Sequence, residues 1–348
     1  MAGCLARLAP PVAPTWRYLL GRSWPIGATL GRAAVTVVGV GSDGVIVQVD
    51  GRLLRLSHLG KVLYPATGFT KGEVIDYYTR IAPAILPHLA DRPLTLRRYP
   101  DGVVAESFYD KDASRHAPDW LRVVRLPTPG SSKAHDEIGY AVVDGLAALV
   151  WAANLAGLEL HVPQWTIGPG NDPQTPDLLV FDLDPGPPAT VVECARVAEM
   201  VRDLLAQDGL ECHAKTSGSK GLQVYAAVRT TDAKDTSTYA RQVAERLAAQ
   251  RPDAVVSRMA KAARRGKVFV DWSQNNPAKT TVAPYSLRGR EQPTVSTPVT
   301  WHEVAECGKP ADLVFTTDAV LRRMQRHGDL FADLYTRPQK QRPLLPFR

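Results

Sequence analysis

Cysteine is scarce in this chain of 348 residues. Its four copies, Cys4, Cys194, Cys212 and Cys307, stand far apart, with no CxxC pair and no local histidine partner. That spacing argues against a disulfide framework or a structural zinc site and fits a reducing cytoplasm. Long apolar runs are missing as well. No uncharged stretch approaches the roughly 18–20 residues that span a bilayer, which excludes an integral membrane protein. Hydrophobic residues at 45% and charged residues at 22% exclude wholesale disorder. The length suits one large domain or two close-packed lobes.

Acidic residues are absent from the first 42 positions, which carry Arg7, Arg17, Arg22 and Arg32. Two further basic stretches are RMAKAARRGK (Arg258–Lys267) and the tail from Arg337. Together the three hold +13 in a chain of net charge +7, so the remaining body is mildly acidic. Such clustering suits local contact with a polyanion, although solvated charge runs look the same in sequence. Residues 1–42 show no sustained period and read as an N-terminal extension, flexible or assigned from too early a start codon.

Patterned sequence begins near Val45. Alternation in VIVQVDGRLLRLS, broken at Asp50-Gly51, predicts a β-hairpin. Lys71 to Leu86 has the spacing of an amphipathic helix, and Pro127 to Gly139 reads as a loop. Leu146 to Leu158 reads as a buried helix, followed by strand-like LELHVPQW. LLVFDLD is a strand stopped by Pro185-Gly186-Pro187-Pro188, and Thr190 with Glu193 forms a capping box for a helix ending at Gly209. Strands around SGSKG, a helix over Thr238–Ala249, strand-like KVFVDW and KTTVAPYSLR, and a second capping box at Thr300 and Glu303 complete the pattern. The irregular interleaving predicts an α+β or mixed-sheet architecture in preference to a doubly wound one.

The side-chain period of two puts Asp182 and Asp184 on one strand face, with Leu179, Phe181 and Leu183 on the other. Two such acids can converge on two divalent ions, and Asp271, closing the apolar strand KVFVD, is a candidate third ligand. Hard oxygen donors without a His/Cys cluster point to Mg²⁺ or Mn²⁺, two per site. The DxD device alone is shared with metal-dependent glycosyltransferases. Ser217, Gly218, Ser219, Lys220 and Gly221 can cradle a phosphate or form a plain hairpin turn. Arg264, Arg288 and Arg290 offer fork-like donors to triphosphate oxygens. His161 suits either a phosphate contact or a hydrogen-bonded core position.

Five blocks keep their order from about Leu56 to Thr300: KVLYPATGFTK, LELHVPQW, LVFDLDPG, TSGSKGL and KVFVDWSQNNPAKTTVAPYSLRGR. Together they resemble the polymerase domain of bacterial ligase D, in the archaeo-eukaryotic primase superfamily. The resemblance implies a primase-like catalytic fold with mixed β-sheets and flanking helices over residues 43–335, with a basic tail at 336–348. It implies a template-directed nucleotidyltransferase that fills short gaps in DNA repair and favours ribonucleotides, with Mn²⁺ supporting activity. It makes Asp182, Asp184 and Asp271 the catalytic metal ligands. His161, Ser217, Lys220, Arg264, Gln274 and Arg288 become nucleotide contacts. Lys61 and Lys71 become the grip on a downstream 5′-phosphate, and Phe108 and Tyr109 a template-stacking pair, for which core packing is the alternative. The expected partners are gapped or end-containing DNA, NTPs and dNTPs, and a separate DNA ligase. The protein is expected to be a monomer, cytoplasmic and nucleoid-associated.

Two departures from the family pattern stand out. The motif SGSKGLH here ends in Gln223, which predicts that any phosphate role of that position passes to a neighbour and that Gln223→Ala is mild. No KxDG adenylation motif is present, so the chain resembles a stand-alone primase-polymerase of the Prim-PolC type. Two other readings compete: a DNA end-binding module that keeps the fold without turnover, and a DxD glycosyltransferase.

Overall fold

The computed structural model describes residues 35–41, 44–127, 137–336 and 342–344. The chain opens with an antiparallel meander of β1 (Val35–Gly41), β2 (Gly44–Val49) and β3 (Arg52–Leu56), the last two joined at Asp50-Gly51 as their alternation predicts. A short hairpin, β4 (Val62–Tyr64) and β5 (Phe69–Thr70), leads into α1 (Lys71–Leu89), opened by a Thr70/Glu73 capping box. Then come β6 (Thr95–Arg98), β7 (Phe108–Asp110), the hairpin β8 (Val123–Pro127) and β9 (Glu137–Ala141), α2 (Leu146–Asn154) and β10 (Gly157–Val162). The helix expected to reach Leu158 stops at Asn154. Ala156 adopts a φ of 56°, and a Cβ at Gly157 would lie 2.8 Å from the Ala152 carbonyl oxygen, so the chain turns there and Leu158 joins the strand.

The second half supplies β11 (Leu178–Pro185), α3 (Val191–Gln207), β12 (Cys212–Thr216), β13 (Leu222–Arg229), α4 (Asp235–Gln250), β14 (Val255–Val256) and β15 (Val268–Asp271). Both expected capping boxes are present, at Thr190/Glu193 and at Thr300/Glu303 ahead of α5 (Trp301–Ala305). Of KTTVAPYSLR, β16 (Thr281–Val282) crosses to β10 to make the sheet β16-β10-β6-β7, and Leu287 forms an isolated bridge with Val295. The largest sheet runs β14-β15-β11-β13-β12-β17, where β17 is Pro298–Val299, and β18 (Arg342–Pro343) lies parallel to β13. Helices α6 (Thr317–His327) and α7 (Asp333–Thr336) follow α5.

One apolar core joins α1, α2 and the first two sheets, and a second lies between the large sheet and helices α3 and α4. The result is an α+β fold with mixed sheets, as the pattern predicts.

Strand β1 falls inside the stretch read as an extension, while residues 1–34 lie outside the described residues. Val35 and Val37 pack on the first core, whereas Val38 and Val40 are exposed. Valines on both faces of VTVVGVG blur the alternation that would mark a strand. Starting the chain at Gly44 in place of Val35 is expected to lower Tm, by roughly 2–4 °C for each kcal/mol lost with β1. Coincident calorimetric melting of the two chains would show that β1 adds nothing.

Candidate active site

Strand β11 lies between β15 and β13. Its register sets Asp182 opposite Asp271 on one side and Gln223 on the other. Gln223 in turn faces Lys215 of β12. Period-two alternation therefore makes Lys215, Gln223, Asp182 and Asp271 one row across the sheet, with Asp184 two residues further along the same face. Leu179, Phe181 and Leu183 enter the core beneath α3 and α4, as expected.

Burial, with Asp184 beside it, pushes the Asp182 carboxyl up to about 7. Burial and Asp271 also raise Asp184, opposed by Arg264 and Arg288. Asp271 is held rigidly: one oxygen accepts from the Ser273 backbone N–H at 3.0 Å, the other from the Gln274 amide at 2.9 Å. Gln274 thus touches a carboxylate of the row. Adjacent acids that resist ionisation lack positive charge, and their hard oxygens fit a divalent cation of the Mg²⁺ or Mn²⁺ kind. Among the described residues, a different trio has all its ligand atoms within 4.8 Å of one another: Glu211, His213 and Asp333.

The basic run folds back against the end of β11. The Gly186 N–H donates to the Lys267 carbonyl, and a Cβ at Gly186 would lie 1.9 Å from the Arg264 carbonyl oxygen. Only glycine allows this approach, which sets the Arg264 guanidinium over the Phe269 ring and near Asp184.

The SGSKG segment is a turn between β12 and β13. The Ser217 hydroxyl accepts the N–H groups of Ser219 and Gly221, and Gly218 has a φ of 68°. A Cβ at Gly218 would lie 2.7 Å from the Arg288 side chain. Arg288 donates to the Ser217 carbonyl at 2.8 Å, Arg290 contacts Ser219, and Lys220 is exposed. The Nε atoms of both Arg264 and Arg288 are buried without a hydrogen-bond partner.

Sequence reasoning missed Glu159. It is 1% exposed, and its carboxylate accepts from Tyr99 Oη at 2.7 Å and from the Gly289 N–H at 3.0 Å. Its other oxygen lies 3.0 Å from His161 Nε2 and 3.4 Å from Arg288 Nε. The Arg288 contact is an ion pair without hydrogen-bond alignment, which is why that Nε also counts as unpartnered. Burial pushes Glu159 up, but the His161 hydrogen bond and the Arg288 charge hold it well below the usual carboxylate range. Burial lowers His161 against the pull of Glu159. An acid two residues before His161 on one strand face was the available signal.

Phe108 and Tyr109 are 46% and 56% exposed on edge strand β7, which rules out core packing for both. Arg98 lies over the Phe108 ring and Arg97 over Tyr109, whose edge meets His161. The turn in KVLYPATGFTK brings its lysines together, with the Lys71 N–H donating to the Lys61 carbonyl at 2.8 Å. Lys61 pairs with Asp101 at 2.7 Å, and Lys71 donates to the Ser57 carbonyl at 2.7 Å. Burial lowers Lys71 to about 8, helped by the charges of Lys61 and Arg98.

The fold is that of the archaeo-eukaryotic primases, as comparison with a solved structure shows. The polymerase domain of Mycobacterium tuberculosis ligase D, solved in complex with DNA, matches with a TM-score of 0.76 and 43% identity, over 81% of this chain and 97% of that one. The family description "LigD, primase-polymerase domain" matches residues 70–331, and the chain belongs to this family. The multifunctional non-homologous end joining protein LigD of Mycolicibacterium smegmatis is 44% identical over 283 residues, 81% of this chain. The bifunctional LigD of Bacillus subtilis is 31% identical over 290 residues, 83% of this chain. The chain spans 36% of the first relative's length and 45% of the second's. Among the described residues, no helix is long and apolar enough to cross a membrane.

Proposed function

We propose that the protein is a template-directed nucleotidyltransferase that fills short gaps during DNA end-joining repair, with ribonucleotides preferred. The observation that carries this reading is the set of three aspartates on neighbouring strands, two of which resist ionisation, with Arg264 and Arg288 close to Asp184. Family membership supports it and removes the glycosyltransferase alternative. Bound at Asp182, Asp184 and Asp271, two divalent ions would lower the pKa of a primer 3′-hydroxyl and neutralise the triphosphate.

The chain's own groups position and compensate charge. Arg264 presents a buried Nε–H without a hydrogen-bond partner, Arg288 is held by Glu159 beside the turn, and Lys220 adds an exposed ammonium. These cations receive the triphosphate as the primer oxygen bonds to the α-phosphorus and the α–β bridge breaks, releasing pyrophosphate. Ser217 shapes the turn that carries Lys220, and Gln274 steadies Asp271. Phe108 and Tyr109 offer open faces to template bases, where stacking is worth about 1–3 kcal/mol per base. A labelled primer-template assayed with Mn²⁺ and each nucleotide tests the reading. DNA binding without extension would leave the end-binding module in its place.

Lys61 and Lys71 form the proposed 5′-phosphate grip. Phosphate must displace Asp101 from Lys61 and the Ser57 carbonyl from Lys71. A terminal phosphate carries more charge than a phosphodiester and makes that exchange more favourable. Wild type is therefore expected to fill one- or two-nucleotide gaps better with the 5′-phosphate than without, and Lys61→Ala/Lys71→Ala to erase roughly tenfold of preference, about 1.4 kcal/mol. Since Lys71 is lowered to about 8, its charge is present below that pH and lost above it. The preference should hold at pH 7 and shrink by pH 9. Equal filling of both substrates at pH 7 would remove the gap-repair reading.

A further inference from the structure

Lys215 is 0% exposed, yet among the described residues its ammonium forms no ion pair and finds only neutral hydrogen-bond partners. Its ammonium donates to Gln223 Oε1 at 2.5 Å and to Ser296 Oγ at 2.6 Å, with the Tyr225 ring 5.5 Å away. A buried ammonium is costly unless something compensates it. The nearest compensation in the row is Asp182, one strand beyond Gln223. Because the Gln223 oxygen is committed to Lys215, its NH₂ group is left for Asp182, directly opposite on the neighbouring strand. An amide suits this place: one end accepts from a cation while the other donates to an anion.

We infer that Lys215 and Gln223 are positioning residues, a cation–amide strut that orients the Asp182 carboxylate. This rests on the reading of Asp182 as a metal ligand. It replaces the expectation that the role of this position passes to a neighbour and that Gln223→Ala is mild: Gln223 is 3% exposed and lies between Lys215 and Asp182. Lys215 works from the far end of the row and touches no reacting group.

The test uses the full chain and Mn²⁺ alone as probe, followed by calorimetric titration without nucleotide or DNA, alongside melting and primer extension. Gln223→Met keeps the length and packing and removes both polar ends. It is expected to weaken Mn²⁺ binding about tenfold, equivalent to about 1.4 kcal/mol. It should lower kcat comparably, with KM for nucleotide changed less than about threefold. Lys215→Met should do the same, and the double variant should be no worse than Gln223→Met, because the two groups act as one unit. Gln223→His, which can accept on one nitrogen and donate from the other, should recover most of the loss. Wild-type Mn²⁺ affinity in Gln223→Met with only a lower Tm would overturn the inference, as would additive losses in the double variant. If Lys215→Met does not fold, Gln223→Met and Gln223→His still decide. Asp182→Asn separates the two levels. Unchanged Mn²⁺ binding in that variant refutes the metal-ligand reading itself, whereas loss there with wild-type binding in Gln223→Met refutes only the strut.

Discussion

Asp182→Ala, Asp184→Ala and Asp271→Ala are each expected to reduce primer extension by at least about a thousandfold, about 4 kcal/mol in the barrier, while DNA binding changes little. The size follows from position. Asp182 and Asp271 face each other across adjacent strands, and Asp184 extends the same face. Removing any one leaves a site that can hold neither the full cation charge nor its geometry. Binding to DNA should survive because its candidate contacts, Lys61, Lys71, Phe108 and Tyr109, stand on β7 and around the β4–β5 hairpin. Asp184→Ala should melt no lower, since it removes a charge from a crowded acidic site. Asp182→Ala strips the buried Lys215 ammonium of its nearest compensation, and Asp271→Ala removes the acceptor of the Ser273 N–H and the Gln274 amide, so both should melt somewhat lower while still folding. Gel-based extension and fluorescence anisotropy on the same preparations check both halves. Extension at the wild-type rate by any of the three variants would sink the carboxylate assignment.

The parts of this site legible in the sequence are those written in local patterns. Asp182 and Asp184 stand out because an apolar strand alternates around them and a Pro-Gly stop follows. Thr190 and Glu193 mark the next helix by a four-residue signature realised in the structure. Asp271 is visible as an acid closing an apolar run. Strand register is not local. Nothing near Gln223 in the chain tells that it faces Asp182, about forty residues earlier, or that Lys215 lies behind it. Lys215 therefore reads as an ordinary strand lysine, and its complete burial comes only from assembly of the large sheet. The same holds for Glu159, whose partners Tyr99 and Gly289 lie 60 and 130 residues away. In KTTVAPYSLR, strand pairing is confined to Thr281–Val282 and an isolated Leu287–Val295 bridge, which no local pattern marks.

Glu159→Gln is expected to lower kcat/KM for nucleotide about a hundredfold, close to 2.7 kcal/mol, chiefly through KM. Glu159 is the shared anchor of two proposed nucleotide contacts, His161 and Arg288. With Nε2 engaged by Glu159, the ring orientation of His161 is fixed. The Arg288 side chain is pinned between Glu159 and the Ser217 carbonyl. Glutamine keeps the size and can still accept from Tyr99 and Gly289, but it removes the charge that holds the Arg288 guanidinium and the His161 ring in place. Gly289 shows how tightly this anchor is built, because a Cβ there would lie 2.1 Å from the Tyr99 ring. The larger truncation Glu159→Ala would strand a largely buried guanidinium and should cost about 3 kcal/mol of stability besides. For that reason the isosteric variant carries the test. Its melting temperature should stay within a few degrees of wild type while nucleotide KM rises, and Mn²⁺ binding without nucleotide should not move, since Glu159 bonds to none of the three aspartates. An unchanged nucleotide KM in a folded Glu159→Gln protein would mean that His161 and Arg288 hold their positions without it, and the anchor would then be structural only.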